Sequence, residues 1–132
     1  MIERDQIMPL LLEACPSYRT RWEEYIAQPE YERGLVYLDL GDFAHHLVDL
    51  FQQGTTAELP AIFNVIERLY VEGDAYVREV ATIGALEGIQ NIAGNKGIDP
   101  EHFVPFLGSE SAEWWRRLNK FWDGDVTALR ER

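Results

Sequence analysis

The chain has 132 residues, and 23 acidic side chains against 12 Lys and Arg give it a formal charge of −11. Such a field repels nucleic acid and anionic membranes and draws in basic partners. An apolar content of 46% excludes disorder as the main state, no apolar run approaches the roughly 18–20 residues of a membrane span, and a single cysteine, Cys15, excludes an internal disulfide and a cysteine-based zinc site.

The opening stretch, MIERDQIMPLLLEAC, carries acids where a secretion signal needs a basic start, so a cytoplasmic protein is expected. A first helix is predicted from Glu3 to Ala14, with Pro9 in an early turn or at a kink. Cys15, a small buried hydrophobe after Leu10, Leu11, Leu12 and Ala14, ends it together with Pro16. Ser17 is predicted to cap a second helix from Tyr18 to Gln28, which Pro29 stops. Residues 30–38 fit a loop or a short helix equally well.

Asp39 is predicted as the N-cap of a third helix, Leu40 to Gln53, with Phe43, Leu47, Leu50 and Phe51 inward. Gly54 closes it in the left-handed conformation. Thr55 and Glu58 then have the spacing of a capping box. The segment from Ala57 to Gly97 is the most strongly patterned and reads as a central helical hairpin. Its first half buries one face, with Leu59, Ile62, Phe63, Ile66, Leu69 and Tyr70 at helical spacing. Asp74 follows a break at Gly73 and caps the second half, Ala75 to Ala93. That half is apolar on nearly every side and must be covered on several faces.

Asp99 and Pro100 open a short helix to about Leu107. A last helix runs from Glu110 to Trp122, with a heavy aromatic face of Trp114, Trp115, Leu118, Phe121 and Trp122. The final residues form a frayed turn. No segment alternates with a period of two, so the fold class is all-α: a compact domain of about six helices, one domain over 1–132.

Asp74, Val77, Arg78, Ala81 and Leu86 have the spacing of the second helix of a HEAT-type repeat, and Leu59 to Leu69 resembles its first. The resemblance covers about 40 residues and implies stacked antiparallel helix pairs with a concave face suited to protein binding. The segments LLEACPSYRTRW (Leu11 to Trp22), GDFAHHLVDLFQQG (Gly41 to Gly54) and Ile66 to Asn91, with its LEGIQN, resemble a bacterial family of small, acidic, all-helical proteins of no assigned activity. Such families are often encoded beside secreted or contact-dependent toxins, which implies an immunity role.

The acids are unevenly spread. Residues 34–77 hold Asp39, Asp42, Asp49, Glu58, Glu67, Glu72 and Asp74 against Arg68 alone. Of these, Asp39, Asp42, Asp49, Glu58, Glu72 and Asp74 are expected to steer and pair with a basic protein partner. Tyr37 is expected to provide an apolar anchor. Signals for catalysis are weaker. Asp42, His45 and Asp49, with His46 adjacent, share a helical face but lack a fourth metal ligand; an exposed face with Asp–His pairing fits the spacing better. Glu87 lies on a helix expected to be nearly enclosed, where a carboxylate is bonded, paired or protonated.

Ser17, Ser109 and Ser111 sit at helix starts, in no nucleophile elbow. The glycines at 84, 88, 94 and 97 lack the strand and lysine of a phosphate loop. Arg116, Arg117 and Lys120 read as ion-pair partners of Glu110 and Glu113. No cofactor or metal is therefore expected. The expectation is a non-catalytic binding module, an immunity (antitoxin-like) protein that occludes the active site of a cognate toxin. A helical-repeat scaffold or regulatory adaptor is the alternative, and a metal-dependent or acid–base enzyme the third choice.

Overall fold

A computed structural model describes residues 1–130, and among these the regular structure is helical apart from one isolated parallel bridge between Ile2 and Gly73. The end of the expected C-terminal turn, 131–132, lies outside the described residues. No helix among them is long and apolar enough to cross a membrane.

Helix α1 spans Ile7–Ala14 and follows a 3-10 turn at Arg4–Gln6. Pro9 falls in its first turn, where an N–H would have no helical partner to lose. A second 3-10 turn, Pro16–Tyr18, leads into α2, Arg19–Ile26. Ser17 lies inside that turn and does not cap α2. Its amide donates to Glu58 Oε2 at 3.1 Å, and its hydroxyl meets His46 Nε2 at 3.0 Å. Cys15 is buried, as its setting predicts.

Helix α3 spans Val36–Gln52, so it starts before Asp39 rather than after it. The reason is burial: Val36, Leu40, Phe43, Ala44 and Leu47 form one continuous inward face, and the core contact extends the helix back through Val36. Asp39 is thereby drawn into the first turn and is only 4% exposed. Gly54, at φ +76°, closes the helix as expected. The capping box at Thr55 and Glu58 does not form. Thr55 turns its hydroxyl back to the Leu50 carbonyl at 3.2 Å, and Glu58 is held by Ser17.

The central hairpin is present. Helix α4, Leu59–Glu72, leads through Gly73 into α5, Ala75–Glu79, where Asp74 accepts the Val77 amide at 2.9 Å as the predicted N-cap. A π-helical stretch, Val80–Leu86, and then α6, Glu87–Asn95, continue the same rod. The sequence predicts a plain helix there. Within the stretch, the Thr82 hydroxyl meets Tyr70 Oη at 2.7 Å and also reaches the Arg78 carbonyl at 3.4 Å, where it competes with the backbone ladder. The rod packs against α3, α4 and, at its π-helical part, the last helix, which covers its all-round apolar surface. Ile62, Phe63, Ile66, Leu69, Val77, Val80, Ala81, Leu86 and Ile89 are all buried in this centre.

Asp99 caps the Glu101 amide at 3.0 Å and opens a 3-10 helix, Pro100–Phe106. Helix α7 spans Ser109–Trp122. Its start is capped not by the serine hydroxyls but by Glu67 of α4. That carboxylate accepts the amides of Glu110 (3.0 Å) and Ser111 (2.9 Å) and the Ser111 hydroxyl (2.8 Å). Burial would raise the Glu67 pKa, yet these donors outweigh it and hold the carboxyl below its ordinary value. Gly108 makes room for this cap, since a Cβ there would overlap the Glu67 side chain. Of the four tryptophans only Trp115 is fully buried; Trp22 and Trp114 are half-buried and Trp122 is exposed.

The N-terminal strand of chain fixes the hairpin turn. The Ile2 amide donates to the Glu72 carbonyl at 2.7 Å, and the Asp74 amide donates to the Ile2 carbonyl at 3.1 Å. Gly73 lies between, with ordinary dihedral angles but no space: a Cβ would overlap the Leu69 carbonyl oxygen and the Val77 side chain. Gly73→Ala is therefore expected to destabilise the fold by about 3 kcal/mol, because backbone must move to admit the methyl group. Urea unfolding followed by tryptophan fluorescence measures this, and a change below about 0.5 kcal/mol would contradict it.

Candidate functional site

Most of the acids expected at a docking surface are held by the fold itself. Arg21 of α2 lies across two of them on α3. It reaches Asp42 Oδ1 from Nη2 at 3.1 Å and from Nε at 3.3 Å, and Asp49 Oδ2 from Nη1 at 3.4 Å. Tyr18 donates to Asp42 Oδ2 at 2.7 Å, and Lys96 donates to Asp49 Oδ1 at 2.6 Å. His45 is exposed and pairs with neither carboxylate, so the expected Asp–His pairing is replaced by Asp–Arg and Asp–Lys pairs. Among the described residues no three His, Cys, Asp or Glu side chains converge as metal ligands would.

The neighbouring Ser17–His46 pair resembles two members of a Ser–His–carboxylate triad. Burial and the Arg21 charge keep the His46 pKa below its ordinary value, which favours the neutral ring. Among the described residues, however, no carboxylate bonds its other nitrogen, and Glu58 is taken up by the Ser17 amide and Cys15. The cluster ties the α1–α2 turn to α3 and to the start of α4.

The remaining expected residues are scattered. Glu72 pairs with Arg68 one turn back, at 2.7 Å, with both side chains exposed. Asp74 is the cap of α5. Asp39 is buried, with its Oδ1 lacking any hydrogen-bond partner among the described residues, so it cannot contribute to an acidic surface. Glu87 is half-buried rather than enclosed, and desolvation raises its pKa.

Tyr37 leads to a concavity. Its hydroxyl donates to Glu79 Oε1 at 2.9 Å, and its ring meets Tyr76 edge-on at 6.3 Å. Glu79 lines a groove of about 640 Å³ along the π-helical stretch, with Arg78, Thr82, Ile83, Glu110, Trp114 and Leu129. Trp114 stacks on Tyr70 at 6.4 Å with the rings 2° from parallel, and the Arg117 guanidinium lies 4.7 Å from the Trp114 ring. Ile83 is 38% exposed along the groove, an apolar residue left uncovered between two carboxylates and one guanidinium. Sequence patterning could not find this site. Arg78, Thr82 and Ile83 appear in it as ordinary members of an apolar helix, and Trp114 as one member of an aromatic face.

The Arg21 network has a pH signature. Burial would raise the Asp49 pKa, but Lys96 and Arg21 outweigh it and hold it below the ordinary value. A depressed folded-state pKa gives stability that is present above the unfolded value, near 3.9, and lost as pH falls through the lower folded value. Replacing the cation, Lys96→Met, moves the Asp49 pKa back toward its unfolded value. The acid limb of the stability–pH curve, from urea melts between about pH 2 and 5, should then become shallower. An unchanged limb would mean that Lys96 does not hold Asp49 in solution.

No curated protein and no solved structure matches this chain. A family model described as "Domain of unknown function (DUF7674)" matches residues 8–123, so all seven α-helices but the first residue of α1 fall within it, and the chain belongs to that family.

Proposed function

We propose that this protein is a non-catalytic binding module: a cytoplasmic immunity, or antitoxin-like, protein that occludes the active site of a basic cognate toxin. The observation that carries the reading is the groove along the π-helical stretch. It offers an aromatic wall at Trp114, an uncovered aliphatic side chain at Ile83, and the carboxylates Glu79 and Glu110. Apolar anchors bordered by charge are what a protein interface requires. The charge of −11 supplies long-range attraction for a basic partner, even though local pairs neutralise several of the acids. The hairpin of α4 with α5 and α6 supports the HEAT-like reading, in which such a pair presents a concave face.

The test is capture of the partner from the source organism, followed by expression of the captured protein alone and with this chain. The expected partner is basic, arrests growth when expressed alone, and is silenced by co-expression. The double charge reversal Glu79→Lys with Glu110→Lys is expected to slow association by about tenfold or more while circular dichroism stays unchanged. A captured partner that is harmless alone would favour the scaffold or adaptor reading. Association rates unchanged by the double reversal would remove the groove from the interface.

A further inference from the structure

A second concavity lies where α1, α2 and α3 meet the loop that precedes α3. Its volume is about 240 Å³, and Met8, Pro9, Trp22, Tyr31, Val36 and Asp39 are among the residues that line it. That is below the roughly 300–1,000 Å³ of pockets for drug-sized ligands, so its occupant is small. Asp39 is the unusual member. It is 4% exposed, and its Oδ1 has no hydrogen-bond partner among the described residues. The hydroxyls of Tyr25 and Tyr31 lie close enough to favour its charged form, but neither makes a well-aligned hydrogen bond to it. Desolvation outweighs both and raises its pKa. A buried carboxylate short of donors is costly, by about 1–3 kcal/mol, and Asp39 lines the pocket, so a donor held there adds to the two hydroxyls.

The surroundings specify what that group would be. Trp22, Tyr25 and Tyr31 form a mutual aromatic cluster, with centroids 5.3–6.3 Å apart, and two of its rings wall the pocket. Aromatic faces beside a carboxylate favour a cation with hydrogens to donate. The other charged lining groups are Arg4, Asp5 and Arg33. Arg4 and Asp5 neutralise each other at 3.6 Å. One acid inside and one exposed cation, Arg33, are left over. The complementary ligand therefore carries a positive end and a negative end.

We propose that this pocket binds a small zwitterion of the amino-acid class, with its ammonium group donating to Asp39 between Trp22 and Tyr31 and its carboxylate facing Arg33. This site is separate from the protein-binding groove and does not depend on it. Its apolar wall of Met8, Pro9 and Val36 suits a short aliphatic body.

The test is a titration of the uniformly 15N-labelled protein with leucine, lysine and arginine, using butylamine and butyrate as single-charge controls. The expected result is saturable shifts of the Trp22 indole and the Gly34 and Val36 amides with at least one amino acid, and weaker binding of both controls. Asp39→Asn keeps the shape of the side chain and removes a buried charge, so the variant should fold at least as stably as the parent. It should lose binding by about tenfold or more, as should Arg33→Ala. Absence of saturable shifts up to about 10 mM would overturn the proposal. So would butylamine binding as tightly as the amino acids, or affinity that both substitutions leave unchanged. Asp39→Asn unfolding at lower urea than the parent would show that the carboxylate already has an internal partner, which also overturns it.

Discussion

There is no room for a side chain at Gly73, and the architecture turns on that fact. The residue joins the two halves of the central hairpin, and the Leu69 carbonyl and the Val77 side chain close over it. Ile2 then bonds to the backbone on either side, at Glu72 and Asp74, so the first residues of the chain lock the turn that the middle of the chain makes. With the turn fixed, Tyr70 meets Thr82 and α4 lies along the start of the second rod. Everything else covers this pair. Helix α3 packs on the rod from the π-helical stretch through α6, and α7 packs on α4 and on the π-helical stretch.

A second constraint is the use made of carboxylates. Counting formal charges along residues 34–77 suggests an open acidic pole. In the folded chain Asp42 and Asp49 meet Arg21 and Lys96, which lie outside that window, and Glu67 spends its charge on the start of α7. A run of acids in one window says nothing about cations that arrive from elsewhere. The charge still acts at long range, where only the net value matters, while at short range Glu79 and Glu110 are carboxylates that border a concavity.

The helices were legible because their signals are local. Apolar spacing placed α3, α4 and α7, and Asp74 and Asp99 announced their helix starts through side chains that reach amides two or three residues on. Most of the failures share one cause, a partner remote in sequence. Ser17 and the serines at 109 and 111 have the chemistry of caps, but Glu58 and Glu67 supply stronger acceptors and the core pulls α3 back past Asp39; Thr55 instead turns back to the nearby Leu50 carbonyl. The π-helical stretch was hidden for the same reason. Val80 to Leu86 looks like uninterrupted helix until Tyr70 gives the Thr82 hydroxyl a reason to face inward.

The two concavities follow from those same departures. The groove exists where the helical rod carries its π-helical stretch, which sets Thr82 against Tyr70 and leaves Ile83 at the edge with Arg78 and Glu79. Widened turns of this kind recur at functional sites because they trade backbone regularity for side-chain placement. The smaller pocket exists because α3 begins early and carries Asp39 inside. Both borders converge on one turn of α3. Val36 and Asp39 line the pocket, while Tyr37, between them, reaches Glu79 on the groove. That turn lies in or beside residues 30–38, the one stretch whose local pattern fits loop and helix alike. A segment with weak intrinsic preference takes its conformation from its neighbours, and here those neighbours are the walls of both concavities.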